Sequence, residues 1–136
     1  MTKVLLETGF LVSLNPRDRN RGWAVDLLKQ AREGEVKIFI SPASLVELSL
    51  ILKSKGLPEE GISRALAAME SLIRRYTRPS FPELTFEIIS GAAELRVKYS
   101  QLSFFDSIHA ATALVNDLEY YDLDEVIKNI VKRERG

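Results

Sequence analysis

Short apolar runs alternate along this chain with longer segments of helical periodicity. KVLLE (3–7) is too short for a helix and rich in branched residues, which predicts a buried strand. GFLVSLNP follows as one helical turn ahead of Pro16, and NPRDRNRG reads as a polar loop. Trp23, Val25, Leu27, Leu28 and Ala31 then recur at helical spacing from about Asn20 to Glu33, with Gly34 as the stop. VKIFI (36–40) is a second buried strand, and Ser41-Pro42 supplies an N-cap and a first-turn proline for a helix running to Gly56. Pro58 restarts a helix with apolar positions at Ile62, Leu66, Met69 and Ile73. The two prolines in YTRPSFP (76–82) limit any strand there to a short or edge one. ELTFEIISGAAELRVKYS is helical again, as is the segment from Ser103 through HAATALVND. LEYYD is a last short strand, and LDEVIKNIVKRER an amphipathic closing helix. This order predicts a single α/β domain with a mostly parallel central sheet between helical layers, spanning residues 1–136.

Composition narrows the chemistry. Nineteen basic and nineteen acidic residues cancel, so net charge gives no global pull towards nucleic acid or membrane. There is no cysteine, which removes disulfides and thiolate ligands, and the one histidine, His109, cannot make a His-rich zinc site. Any metal would be held mainly by oxygen. No apolar run approaches the ~18 residues of a membrane span, and the N-terminus lacks a signal-peptide core, so the expectation is a cytoplasmic protein with no membrane partner.

Ligands of open α/β sheets bind beyond the carboxyl ends of the strands. Acids fall there at four places. Glu7 closes the first strand. Glu47 lies on the helix after the second strand, with Ala43, Ser44, Leu50 and Ile51 as its helical neighbours, an odd setting for a carboxylate. Asp106 sits in the first turn of the alanine-rich helix, where Ser103-x-x-Asp106 also fits a capping box. Asp122 and Asp124 follow the last strand, where either also suits a helix start. Convergent carboxylates without Cys or spare His suit hard divalent cations such as Mg²⁺ or Mn²⁺. Such ions activate water and steady charge on a phosphate, so the pattern points to phosphodiester hydrolysis.

Three segments carry a family likeness. VLLETGFLVSLN, ISPASLVELSLILKSKG and LSFFDSIHAATAL together resemble the PIN domain family, and within it the toxin nucleases of the VapC type. The resemblance implies a parallel sheet sandwiched by helices and an acidic pocket for Mg²⁺ or Mn²⁺. It further implies endoribonuclease activity in a toxin–antitoxin pair, a small antitoxin protein as partner, and a homodimer. Carried over by position, Glu7, Glu47 and Asp106 take the first three acidic places. Asp124 takes the fourth when aligned without gaps, or Asp122 if the segment carries a small deletion. Thr8 matches a hydroxyl residue that lines the site. His109 falls at a position that is often apolar or His and reads as packing or capping, not as a general base. Trp23 and the tyrosines read as core or dimer surface.

One position departs from the family. Asp is usual where this chain has Glu7, and the extra methylene adds roughly 1.5 Å of reach and one more rotor to order. Octahedral Mg²⁺ tolerates misplaced ligands poorly, so a second reading stands beside the nuclease: a weakened or degenerate PIN domain that binds RNA or protein. A phosphoryl-accepting receiver domain fits less well, because Phe39-Ile40-Ser41 ends the second strand without an acid. Candidates for holding an RNA backbone are Arg17, Arg19 and Arg21, then Arg74, Arg75 and Arg78, with the cationic end of the last helix as a further one.

Overall fold

A computed structural model describes all of residues 1–136. Three parallel strands form the sheet: β1 (Thr2–Leu6), β2 (Val36–Ile40) and β3 (Glu119–Tyr120), in the order β2-β1-β3. β1 is therefore the central strand, and its unbroken Val4-Leu5-Leu6 is the signature of a strand buried on both faces. Phe39 adds a lone parallel bridge to Ser80, so the proline-bounded segment at 76–82 contributes one bridge rather than a strand.

Seven helices cover the two faces: α1 (Thr8–Ser13), α2 (Arg21–Arg32), α3 (Pro42–Ser54), α4 (Glu59–Arg74), α5 (Phe86–Lys98), α6 (Phe104–Val115) and α7 (Glu125–Arg135). The side-chain alternation of β1 splits the core. Leu5 points into a cluster with Ile88, Leu95, Ile108 and Ile130 from α5, α6 and α7. Val4 and Leu6 point the other way, against Phe10, Leu27, Leu28, Leu48 and Ile73 from α1, α2, α3 and α4. The result is the three-layer α/β/α arrangement expected from the sequence.

Several boundaries differ from the sequence expectation, the last strand shrinking from LEYYD to Glu119–Tyr120, and two of the differences have a capping reason. β1 ends at Leu6, because Glu7 is the N-cap of α1 and its carboxylate accepts the Gly9 N–H at 2.8 Å. α5 begins at Phe86, where the Thr85 hydroxyl accepts the Ile88 N–H, while Pro82 lies too far upstream to belong to the helix. Connections at the carboxyl ends of the strands are short: α1 starts two residues after β1 and α3 two residues after β2. Every polar residue leaving a strand is thus committed to the same edge of the sheet.

Leu28 is fully buried on α2, far along the chain from every acidic candidate. Leu28→Ala is expected to cost about 2–5 kcal/mol, read as a lower urea midpoint with an unchanged m value.

Candidate metal centre

The carboxyl edge of the sheet gathers a compact group. One ligand atom each from Glu7, Glu47 and His109 lie within 4.8 Å of one another. Glu7 arrives from the end of the central strand, Glu47 from the second turn of α3 and His109 from the middle of α6. Their positions follow from packing: α3 and α6 contact each other beyond the carboxyl edge of the sheet, and α6 is almost entirely buried between Ser107 and Ala113. The small alanines of α6 permit that close approach, which brings a fully buried imidazole against a carboxylate.

His109 is the brace of the group. Its Nε2 lies 2.8 Å from Glu47 Oε1 and 4.0 Å from Glu7 Oε2, and its Nδ1 lies 2.7 Å from the Ser41 hydroxyl. A carboxylate only accepts, so the Nε2 proton points at Glu47; in the neutral ring Nδ1 then accepts from Ser41. Thr8 also donates its hydroxyl to Glu47 Oε1. Burial works against the charged form of Glu47, yet the bonds from His109 and Thr8 prevail and hold its carboxyl below the usual range.

Glu7 behaves in the opposite way. It is 7% exposed, and burial together with the neighbouring charge of Asp122 pushes its carboxyl up to about 7, against the pull of His109 and the Gly9 N–H. Asp122 is itself raised, first by burial. The closeness of this pair shows at Gly9: a Cβ there would stand 2.7 Å from Glu7 Oε1 and 3.3 Å from Asp122 Oδ1. Two carboxylate oxygens from different strands converge on the space that glycine leaves open.

The structure distributes the remaining candidates unevenly. Asp106 is half-exposed at the start of α6; its N–H is capped by Ser103 at 3.2 Å, but its carboxylate does not return the bond, so only half of the capping box forms. That carboxylate acts through its charge on both Asp122 and Tyr120. Asp124 is exposed and caps α7, accepting the Val126 N–H at 2.9 Å. It is Asp122, two residues beyond β3, that faces Glu7. Thr8 lies inside the group. Arg17 and Arg19 are exposed, and Arg21 is tied to the Leu14 carbonyl.

Three participants were not legible as such in the sequence. Ser41 occupies the N-cap of α3 as expected, but its side chain makes no cap bond and turns to His109 instead. His109 packs, as read, and also orients Glu47. Tyr120 pairs with Leu5 on the α6 side of the sheet, 3% exposed, and its hydroxyl has no hydrogen-bond partner although it feels the charges of Glu7, Asp122, Asp106 and Glu47. Its position two residues before Asp122 on a strand was the available signal.

These observations fit a hard divalent cation. The donors are oxygen-rich, two carboxylates are crowded and pushed towards protonation, an open cradle lies at Gly9, and a buried phenol stands unpartnered beside them. The sequence matches the PIN domain family over residues 4–132. The chain belongs to the PIN domain family. Its fold resembles VapC20 of Mycobacterium tuberculosis, a sarcin–ricin loop cleaving toxin, with a TM-score of 0.70 and 21% identity over 93% of this chain and 94% of the other. It also resembles VapBC2 of Rickettsia felis bound to a promoter DNA fragment (TM-score 0.65, 21% identity, 96% and 93% covered). FitAcB of Neisseria gonorrhoeae is a third likeness (TM-score 0.60, 20% identity, 95% and 93% covered). No curated protein matches the chain by sequence. At these identities the likenesses establish the PIN fold, and the chemistry rests on the residues.

Glu7 holds its proton more tightly folded, at about 7, than its ordinary value of 4.5. Its favourable contribution is therefore complete below about pH 4.5 and lost as pH rises through 7. In EDTA, Glu7→Gln is expected to stabilise the protein at pH 8, by up to about 3 kcal/mol, with the gain fading towards pH 4.5 in urea titrations. Gly9→Ala fills the cradle without demanding a new backbone conformation; calorimetric titration with Mn²⁺ is expected to show about tenfold weaker binding, because Glu7 and Asp122 must part.

Proposed function

We propose that this PIN domain is a Mg²⁺- or Mn²⁺-dependent endoribonuclease, the toxin of a toxin–antitoxin pair. The observation that carries the reading is the convergence of Glu7, Glu47 and Asp122, with Asp106 beside them, at the carboxyl edge of one parallel sheet. Glu7, Glu47, Asp106 and Asp122 would hold the cation; bound there, it supplies Lewis-acid stabilisation of a phosphate and activation of water.

The chain's own residues do the rest. Glu47 is kept ionised and fixed in direction by His109 and Thr8, and His109 is fixed in turn by Ser41, so one ligand is preorganised before anything binds. Glu7 is anchored by the Gly9 N–H, which holds one carboxylate oxygen and leaves the other towards His109. The longer side chain of Glu7 is thereby turned towards the first turn of α1. Asp106, half-exposed and with a carboxylate free of internal hydrogen bonds, is the acid best placed to meet an incoming phosphate or its solvent.

An antitoxin partner is supported by a separate surface. Leu11, Leu45, Leu66, Met69, Ile73 and Phe81 line an apolar cleft of about 210 Å³ between α1, α3 and α4, with Val46 and Leu50 exposed on α3 beside it. The fold likenesses include VapBC2, a complex with its promoter DNA, which suits the same assignment.

Total RNA incubated with the protein in Mn²⁺ or Mg²⁺ is the direct test. The wild type is expected to cleave it, EDTA to abolish cleavage, and Glu47→Gln and Asp106→Asn each to lower the rate by at least a hundredfold. Equal cleavage by wild type and both variants would reject the nuclease and leave the binding-module reading.

A further inference from the structure

A second cleft opens on the far side of Asp122. It has a volume of about 640 Å³, inside the range of small-ligand sites. Trp23 and Tyr121 form one wall, and Lys128, Lys132 and Arg135 of α7 form the other. We propose that this cleft binds a single-stranded segment of the nucleic acid next to the reacting phosphate, with an unpaired base against Trp23 and Tyr121 and the adjoining backbone on Lys128 and Lys132. The assignment rests on the nuclease reading, because Asp122 belongs to both the cleft and the acidic group.

The charges are arranged in order along α7. The helix starts at Glu125, three residues after Asp122, and ends with Arg135 bonded to the carbonyls of Ala113 and Leu118, at the opposite end of β3. Lys128 and Lys132 stand between, one helical turn apart on one face. Arg135 is committed to those carbonyls and to Asp117 at 3.8 Å. Lys132 makes no ion pair, and the one carboxylate that reaches ion-pair distance of Lys128, that of Glu125, is 4.0 Å away and mostly exposed. Two cations are therefore available to a phosphate backbone leading away from the acids. Glu119 also lines the cleft, but it lies on β3 towards the Arg135 end. It bounds the path at the end away from Asp122.

The aromatic wall explains why the segment must be unpaired. Trp23 meets Phe10 edge-on, with centroids 6.3 Å apart at 76°, and is only partly buried, so indole surface remains on the cleft. Stacking on indole needs a base that has left its own stack. None of Arg17, Arg19 or Arg21 lines this cleft, which moves the backbone contact from the loop after β1 to α7.

Trp23 is the chain's only tryptophan, so its fluorescence reports the cleft alone. The full chain is titrated in calcium, a hard cation carboxylates bind, with a single-stranded RNA of about 12 nucleotides. Tryptophan emission is followed with unlabelled RNA, and affinity by anisotropy with labelled RNA. Saturable quenching is expected with the single strand and not with its duplex. Lys128→Ala/Lys132→Ala is expected to weaken binding about tenfold and to lower the salt slope by about one to one and a half, with Lys128→Arg/Lys132→Arg restoring both. Binding without quenching, binding unchanged in the alanine pair, or no binding each overturns the proposal. The nuclease reading fails separately: quenching without cleavage in Mn²⁺ keeps the cleft and rejects the enzyme, and cleavage with no quenching does the reverse.

Discussion

Like charges forced together by a parallel sheet are the constraint on which this molecule turns. Parallel strands all deliver their carboxyl ends to one edge, so the residues that follow β1, β2 and β3 have no choice of neighbourhood. Glu7 and Asp122 leave adjacent strands and meet across Gly9, each made harder to ionise by burial. Ionised carboxylates this close are costly unless something cationic joins them. The hydrophobic layers supply the force that holds them there. Leu5 on one face and Val4 and Leu6 on the other anchor β1 beyond the reach of electrostatic repulsion at its end.

Against that crowding the site sets one fixed point. The chain Ser41–His109–Glu47, with Thr8 as a second donor, ties the end of β2 to α3 and α6 through side chains alone. It acts on Glu47 in the sense opposite to the effect of burial on Glu7. The two glutamates sit within one group yet are driven apart in acidity, one kept charged by donors and the other pushed towards its neutral form by burial and a like charge. Environment rather than residue type separates them, which is how paired acids acquire different duties.

Much of this was legible in the chain. Helical and strand periods placed every element, because long amphipathic or continuous apolar runs leave little ambiguity, and Glu7, Glu47 and Asp106 stood out as acids in the wrong surroundings. What the sequence did not disclose was pairing at a distance. Ser41 and His109 are separated by 68 residues of chain, and each has an adequate local explanation, a helix cap and a core residue. Asp122 and Asp124 are equivalent by local rules; the two-residue length of β3 sets them apart in space, since Asp122 still lies at the sheet edge whereas Asp124 has already entered the start of α7. The capping box at Ser103 was half right for a related reason. The backbone N–H needs the serine, but the aspartate is not obliged to return the favour.

β3 itself carries one more implication. It is held to β1 by only two residue pairs, Val4 with Glu119 and Leu5 with Tyr120, continued by the Tyr121 N–H on the Leu5 carbonyl. So brief a strand is weakly pinned in register, and a slip of one residue would turn Tyr120 outward and carry Asp122 to the other face. Three of the acids hang from well-anchored elements, while the fourth rides on the least secured strand of the sheet. A cation shared between Glu7 and Asp122 would then act as a rivet, fastening the edge of the sheet to its centre and making local opening of that edge the step by which metal enters or leaves.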